Sequence, residues 1–184
     1  MTPLSERLRR AQAQWRYIGQ ERPSFAIAPA PGQESVWDYP RPPQVVPDSR
    51  EVVVRLGDHE IARTRRALRL LETASPPTFY LPRADVVAAY IESAPGASMC
   101  EWKGEARYGS VVVPGRRLER VVWWYPDPYA EYASLRDHLA FYPSPLECYV
   151  DGVRVEPQPG RFYAGWITPE VVGPFKGEAG SGGW

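Results

Sequence analysis

Leu4, Leu8, Ala11, Trp15 and Ile18 alternate at spacings of four and three residues, the stripe of an amphipathic helix. Pro3 suits its first turn, where a missing N–H costs nothing, and Arg7, Arg9 and Arg10 lie off the stripe as a solvated face. From Pro23 to Pro47 the prolines exclude helix or central strand for most of the passage, so an extended arm is expected. "EVVVRLGDHEIART" has two apolar runs about a Gly-Asp turn and predicts a β-hairpin, and "ALRLLET" a third strand ending near Glu72. After Pro76-Pro77, "TFYLP" reads as short and extended, and "RADVVAAYIES" as about two helical turns. "MCEWKGEARYGSVVV" reads as a strand with a glycine interruption, then a strand into the Pro114-Gly115 turn, and "RLERVVWWYP" returns antiparallel beyond it. "YAEYASLRDHLAFY" predicts a second helix, "LECYVDGVRVEP" a hairpin on Asp151-Gly152, and "GEAGSGGW" a flexible tail unless Trp184 docks. Short strands between Gly and Pro turns outnumber helices without βαβ alternation, which predicts a mostly β fold: compact, barrel-like antiparallel sheets with a few short helices outside.

Composition narrows the functional classes. A chain of 184 residues fits one domain, residues 1–184, with a core that needs no staples. Lys plus Arg and Asp plus Glu both number 22, so no net field draws the protein to nucleic acid or an anionic membrane, and neither is expected as a partner. Cys100 and Cys148 have no C-x-x-C spacing, which points to free thiols in a reducing compartment rather than to zinc or a disulfide scaffold. The N-terminus lacks the continuous apolar stretch of a secretory signal, and no apolar run approaches the roughly 18 residues of a membrane helix. A cytoplasmic location follows as the expectation. Neither a metal nor a cofactor is expected, and the oligomeric state stays open.

W-x-Y-P-x-P occurs twice, at Trp37 and at Trp123. Later landmarks follow in order: Phe79-Tyr80 against Phe162-Tyr163, "DVV" at Asp85 against "EVV" at Glu170, and "WKGEA" at Trp102 against "FKGEA" at Phe175. Two readings stand: two pseudo-symmetric degenerate halves, residues 24–109 and 110–184, or coincidence in a chain rich in proline and aromatics. A repeated tryptophan of this kind, Trp37 or Trp124, most simply caps a sheet end.

In "IARTRRALRLLET", "FYLPRADV", "CEWKGEARY", "WWYPDP" and "LAFYPSPLECYVDG" the chain resembles the domain of unknown function 427 family, which also carries a nucleotidyltransferase label. The resemblance covers about residues 52–152. The helix and proline-rich arm (1–50) and the glycine-rich tail (160–184) look like those of longer members. What it implies is a compact, mostly β, barrel-like domain without an established reaction. Nucleotidyl transfer needs grouped acidic residues for Mg²⁺ and donors around the phosphates. The chain has neither a phosphate loop nor a D-x-D pair beside a Gly-Ser turn.

The residues that could carry chemistry converge by motif. Glu72, Lys103 and Tyr108 are the candidate catalytic set, and Tyr80, Asp85, Trp102, Trp124 and Tyr125 the candidate ligand-binding set. A lysine and a glutamate in a half-buried aromatic pocket hold each other charged, or desolvation lowers the lysine enough for proton transfer. Each has a plainer structural reading: Lys103 a strand-end salt bridge, Glu72 a turn anchor, Asp85 a helix cap. In a regular strand Trp102 and Tyr108 share one face and Lys103 the other, so Lys103 reaches Tyr108 only if the chain bulges near Gly104. Arg63, Arg65, Arg66 and Arg69 are an anion-binding edge or, more simply, a charged strand edge. The leading expectation is an aromatic-lined pocket for a small polar or anionic molecule. The alternatives are a metal-independent enzyme using the Glu-Lys-Tyr set, and a protein-interaction module built on the proline-rich arm.

Overall fold

The computed structural model describes residues 3–160 and 162–184. Helix α1 (Pro3–Ala13) is followed by strands β1 (Glu34–Ser35), β2 (Gln44–Asp48), β3 (Val52–Leu56), β4 (His59–Thr64) and β5 (Ala67–Glu72). Then come β6 (Ser75–Pro82), β7 (Ile91–Cys100), β8 (Gly104–Val113), β9 (Arg116–Trp124) and β10 (His138–Phe141). The short strands β11 (Glu147–Val150), β12 (Val153–Arg154), β13 (Glu156–Pro157), β14 (Trp166–Ile167) and β15 (Val171–Val172) complete the chain.

The fold is mostly β, built on antiparallel sheets. A large seven-stranded sheet runs in the order β2-β5-β6-β10-β9-β8-β7, and a small four-stranded sheet in the order β12-β11-β3-β4. Both sheets are open at their edges, so the expected barrel-like body is a sandwich of two sheets. Pro47 lies on β2, an edge strand, where a residue without an N–H costs no ladder bond. The Gly57-Asp58 and Asp151-Gly152 hairpins form as expected, the latter with φ of 46° and 77°, angles that a two-residue hairpin turn demands.

Period-two alternation in the large sheet sorts side chains onto two unlike faces. Phe79, Leu81, Val122, Leu139 and Phe141 face the small sheet and join Val52, Val54 and Ile61 in the main core. Tyr80, Trp123, Ala140 and Ala106 face the other way, where Tyr125, Tyr132 and Leu135 complete a second cluster. The turns over Ala130–Leu135 lie on that second face, which carries the cleft described below. A third cluster ties the arm to the tail. Trp37, 1% exposed, donates from Nε1 to the Pro174 carbonyl (3.1 Å) and meets Tyr17, Phe25 and Trp184 edge-on. Trp184 therefore docks, and β1 pairs with β15 in parallel beside it.

Three local expectations are corrected. The residues of "YAEYASLRDHLAFY" form 3-10 turns over Ala130–Leu135, and then β10, which fills the position between β6 and β9. Leu139 and Phe141 bury on one face there and Ala140 on the other, so tertiary pairing overrides the helical propensity. "RADVVAAYIES" gives two single 3-10 turns, Arg83–Asp85 and Ala88–Tyr90, before β7 begins. Between them Val86 is extended and bridges Ala62. "MCEWKGEARYGSVVV" keeps its two strands about the glycine interruption, and they close as a hairpin: β7 and β8 pair from Cys100–Gly104 onward, with Glu101, Trp102 and Lys103 in the turn. The helical stripe ends earlier than its spacing predicts. Trp15 leaves α1 and Ile18 is 39% exposed, while Leu4 has a side chain outside the described set.

Candidate functional site

A cleft of about 400 Å³ opens on the second face of the large sheet. Its floor is Leu70, Tyr80, Ala106, Trp123 and Tyr125, contributed by β5, β6, β8, β9 and the residue following β9. The β7–β8 turn supplies one wall through Cys100, Trp102 and Lys103. Trp15 from the arm, with Tyr163 and Lys176 from the tail, supplies the other.

Glu72, Lys103, Tyr108, Tyr80, Trp102 and Tyr125 all line this cleft, so six of the eight sequence candidates come together. Lys103 and Tyr108 share the cleft through a hairpin turn at Gly104 and not through the strand bulge expected there. The φ of Gly104 is 100°, and this turn, rather than a continuous strand, aims Lys103 at the floor.

Two candidates lie elsewhere. Asp85 accepts from Thr64 Oγ1 and from Arg66 Nη2, both at 2.6 Å, and these bonds hold its carboxyl below the usual carboxylate range. It ties the turn after β6 to the end of β4 and is remote from the cleft. Trp124 points to the opposite face of β9, packs on the main core and carries the Arg83 guanidinium at 5.2 Å from its ring centre. Its neighbour Trp123 is the cleft residue. The spacing W-x-Y was the signal, since period two puts Trp123 and Tyr125 on one face. The two W-x-Y-P-x-P segments also differ locally: Trp37 sits in a 3-10 turn, Trp123 in a strand.

Glu72 does not pair with Lys103. It accepts from Arg41 Nε at 3.2 Å, and Arg41 also donates to the Tyr17 and Thr73 carbonyls, both at 2.8 Å. Arg41, 5% exposed, is a buried cation that makes three hydrogen bonds and holds Glu72 at the cleft. Lys103 is 7% exposed and has no hydrogen bond or ion pair with the described residues. Its Nζ lies 5.7 Å from the centroid of the Tyr125 ring. Burial pulls its ammonium down, and Tyr125, Cys100, Tyr80 and Glu72 together outweigh burial, so Lys103 is held above its ordinary value. The phenols attract only as anions, and burial pushes Tyr80 and Tyr125 upward too. At neutral pH, then, Lys103 is a cation whose one formal counter-charge in that group, Glu72, is already bonded to Arg41.

Lys176, which sequence reasoning noted only as part of the repeated "KGEA", is the second cleft lysine. It is 5% exposed and donates to the Trp184 main-chain oxygen at 2.8 Å. Burial, with the Arg41 charge adding to it against Glu72 and Glu101, lowers Lys176 to about 8. Trp15 lies beneath both cations, 3.6 Å from Lys176 Nζ and 4.3 Å from Arg41 Cζ to the ring centroid. The Trp15 indole donates to Glu101 Oε1 at 3.2 Å, which links this wall to the β7–β8 turn. Nothing in the sequence marked Trp15 or Arg41 for the site.

Tyr108 exchanges a hydrogen bond with Ser98 Oγ at 2.6 Å and stacks under the Arg120 guanidinium at 4.2 Å. Trp102 separates the cleft from a more open groove of about 990 Å³ flanked by Pro40, Pro42, Pro43, Tyr129 and Tyr132. Its Nε1 is buried without a hydrogen-bond partner. Cys100 lines the cleft while Cys148 is sealed in the main core, so the two free thiols lie on opposite faces of the large sheet. The arginine edge is neutralised: Arg63 and Arg65 meet Glu51, Arg66 meets Asp85, and Arg69 meets Glu34 and Asp48. Among the described residues no three His, Cys, Asp or Glu gather as a metal site, and no helix is long and apolar enough to cross a membrane.

Fold and site together define a mostly β domain that carries, on the free face of its main sheet, an aromatic cleft with two buried lysines. The chain belongs to the family described as a domain of unknown function (DUF427), whose model matches residues 44–155. The match begins with edge strand β2 and takes in the floor and the Lys103 wall, while Trp15, Arg41, Tyr163 and Lys176 lie outside it. No curated protein matches the chain.

Proposed function

We propose that the protein binds a small anionic molecule in the cleft, with Lys103 as the charge that anchors it. The observation that carries this reading is a buried ammonium facing the cleft with no hydrogen bond or ion pair from the described residues. A desolvated charge left unmet is expensive, and an anion delivered by a ligand removes that expense at the moment of binding. Tyr80, Trp123 and Tyr125 give the anion an apolar, flat-walled floor, which suits a ligand with an apolar body. The free Cys100 thiol on the wall fits a reducing, cytoplasmic setting.

Native mass spectrometry of the protein isolated from its own cells tests the reading directly. A retained small anion in the wild type, absent from Lys103→Met with the fold intact, is the expected result. An empty wild-type protein that also shows no thermal shift with acetate, benzoate or phosphate overturns it.

A second reading, metal-independent acid–base chemistry, is favoured by Lys176, whose value of about 8 suits proton transfer near neutral pH. In that case Lys176, rather than Lys103, exchanges the proton. Chemical conversion of the retained molecule by wild type but not by Lys176→Gln distinguishes it from binding alone.

A further inference from the structure

The two lysines reach the cleft through matching loops. "WKGEA" and "FKGEA" each place a lysine immediately before a glycine with an unusual backbone: φ is 100° at Gly104 and 106° at Gly177. Each lysine buries its side chain against the cleft, at 7% and 5% exposure. Each lysine carbonyl is pinned from outside its own loop. Tyr129 N donates to Lys103 O at 3.2 Å, and Gln158 Nε2 to Lys176 O at 2.8 Å. Sequence, backbone turn, burial and anchoring therefore recur together, although the neighbouring tryptophan motif does not recur in conformation.

From this geometry we infer that the ligand carries two anionic groups on one apolar body, one met by Lys103 from the sheet side and the other by Lys176 from the tail side. The inference rests on the anion-binding reading above and names its ligand class: a small dicarboxylate, bisphosphate or mixed carboxylate–phosphate. Three observations support it. Lys103 has all three ammonium donors uncommitted to the described residues. Lys176 commits one donor to Trp184, which leaves two for a ligand. Among the described residues neither lysine is ion-paired with Glu72 or Glu101, which accept instead from Arg41 and from the neutral Trp15 indole, although both carboxylates attract Lys176 and Glu72 attracts Lys103 through space. With Arg41 included, three cations stand against these two carboxylates around a hollow too small for more than a compact guest. A two-ended anion offers one acceptor group to each ammonium.

Matched pairs of probes test this by calorimetry at constant ionic strength and pH 7: butyrate against succinate, benzoate against terephthalate, and orthophosphate against pyrophosphate. In the wild type the two-ended member of at least one pair binds about tenfold tighter or more, the gain of one further charge-assisted contact. Lys176→Met reduces that member to the affinity of its single-ended mate, Lys176→Arg keeps most of the gain, and Lys103→Met abolishes binding of both. If single-ended anions bind through Lys103 and the two-ended ones gain nothing, or keep their gain in Lys176→Met, the inference falls while the anion-binding reading stands. If no probe binds the wild type, or Lys103→Met binds as well as wild type, both fall. Far-UV circular dichroism of each variant separates lost contacts from lost fold. If Lys176→Met fails to fold, Lys176→Gln replaces it, with the same outcomes.

Discussion

Lys103 lies in the turn of a hairpin whose strands belong to the large sheet, whereas Lys176 lies in a tail segment that belongs to no sheet and is held by side chains. Around Lys103 are phenols, a thiol and a pre-engaged carboxylate, and it stays protonated. Around Lys176 are the Trp15 ring, the Trp184 oxygen and the Arg41 charge, and burial brings it down to about 8. Two loops of like sequence thus deliver one fixed charge and one adjustable charge to the same hollow. The backbone turn decides where an ammonium goes, and the neighbours decide whether it keeps its proton.

The glycines after the two lysines separate the loops most sharply. A Cβ on Gly177 would sit 1.9 Å from the Pro159 carbonyl oxygen and 2.8 Å from its carbon, both backbone atoms, at a φ of 106°. Gly177→Ala should cost more than about 4 kcal/mol in urea unfolding or leave the tail undocked, since neither strand nor loop there can yield cheaply. A cost near zero would mean that the tail loop is as loose as its lack of sheet pairing suggests. Arg41→Met comes next. It leaves Glu72 without its partner and the Tyr17 and Thr73 carbonyls without a donor, at an expected cost of about 3–5 kcal/mol. The same variant also removes the charge that depresses Lys176, so the Lys176 amine, followed by NMR, should titrate higher than in wild type.

These contrasts show what the sequence could and could not carry. The hairpins, and the exclusion of helix and central strand from most of the proline-rich arm, were legible because Gly turns and prolines act over a few residues. The helix expected at "YAEYASLRDHLAFY" failed because β10 gains its pairing from β6 and β9, which are distant in sequence. Of the six candidates that line the cleft, Trp102, Lys103 and Tyr108 share one locally folding hairpin, whereas Glu72, Tyr80 and Tyr125 join them through pairing in the large sheet. Trp124 was taken for Trp123 because the strand's register decides the face, and a one-residue slip reverses it. Trp15 and Arg41 reach the cleft only through long-range docking of the arm, for which no local pattern exists.

Proton linkage offers a milder test of the adjustable lysine. Unfolded, Lys176 holds its proton up to about 10.5, while in the folded protein it releases it at about 8. Between those values the unfolded chain binds more protons, so stability rises with pH; it is fully recovered above the upper value and lost again as pH falls through the lower one. Arg41 pushes in this direction, and Glu72 and Glu101 oppose it. The Lys176→Met variant should lack this rise, so its advantage over wild type, about 1–3 kcal/mol at pH 7, should vanish by about pH 10.5. Urea midpoints of both proteins across that window measure it. A constant difference at every pH would show that Lys176 matters by its bulk and not by its charge. Lys103 is shifted upward, so its contribution has the opposite sign: it is fully present below its unfolded value and is lost only as pH rises above it.

The smallest effect belongs to Gly104. Here a Cβ would meet the Asp127 carbonyl oxygen at 3.4 Å and the Tyr129 ring at 3.6 Å, ordinary contacts that require no movement. What remains is the backbone, since a φ of 100° is one that an L-residue adopts only under strain. Gly104→Ala should therefore fold, lose about 1–2 kcal/mol in urea unfolding, and do so without disturbing the main core, which lies across the sheet. The strain falls on the turn that aims Lys103, so anion affinity should drop more than stability does. A substitution at Gly104 as damaging as that at Gly177 would show that the hairpin turn is as tightly enclosed as the tail loop, and the contrast between a roomy fixed charge and a clamped adjustable one would dissolve.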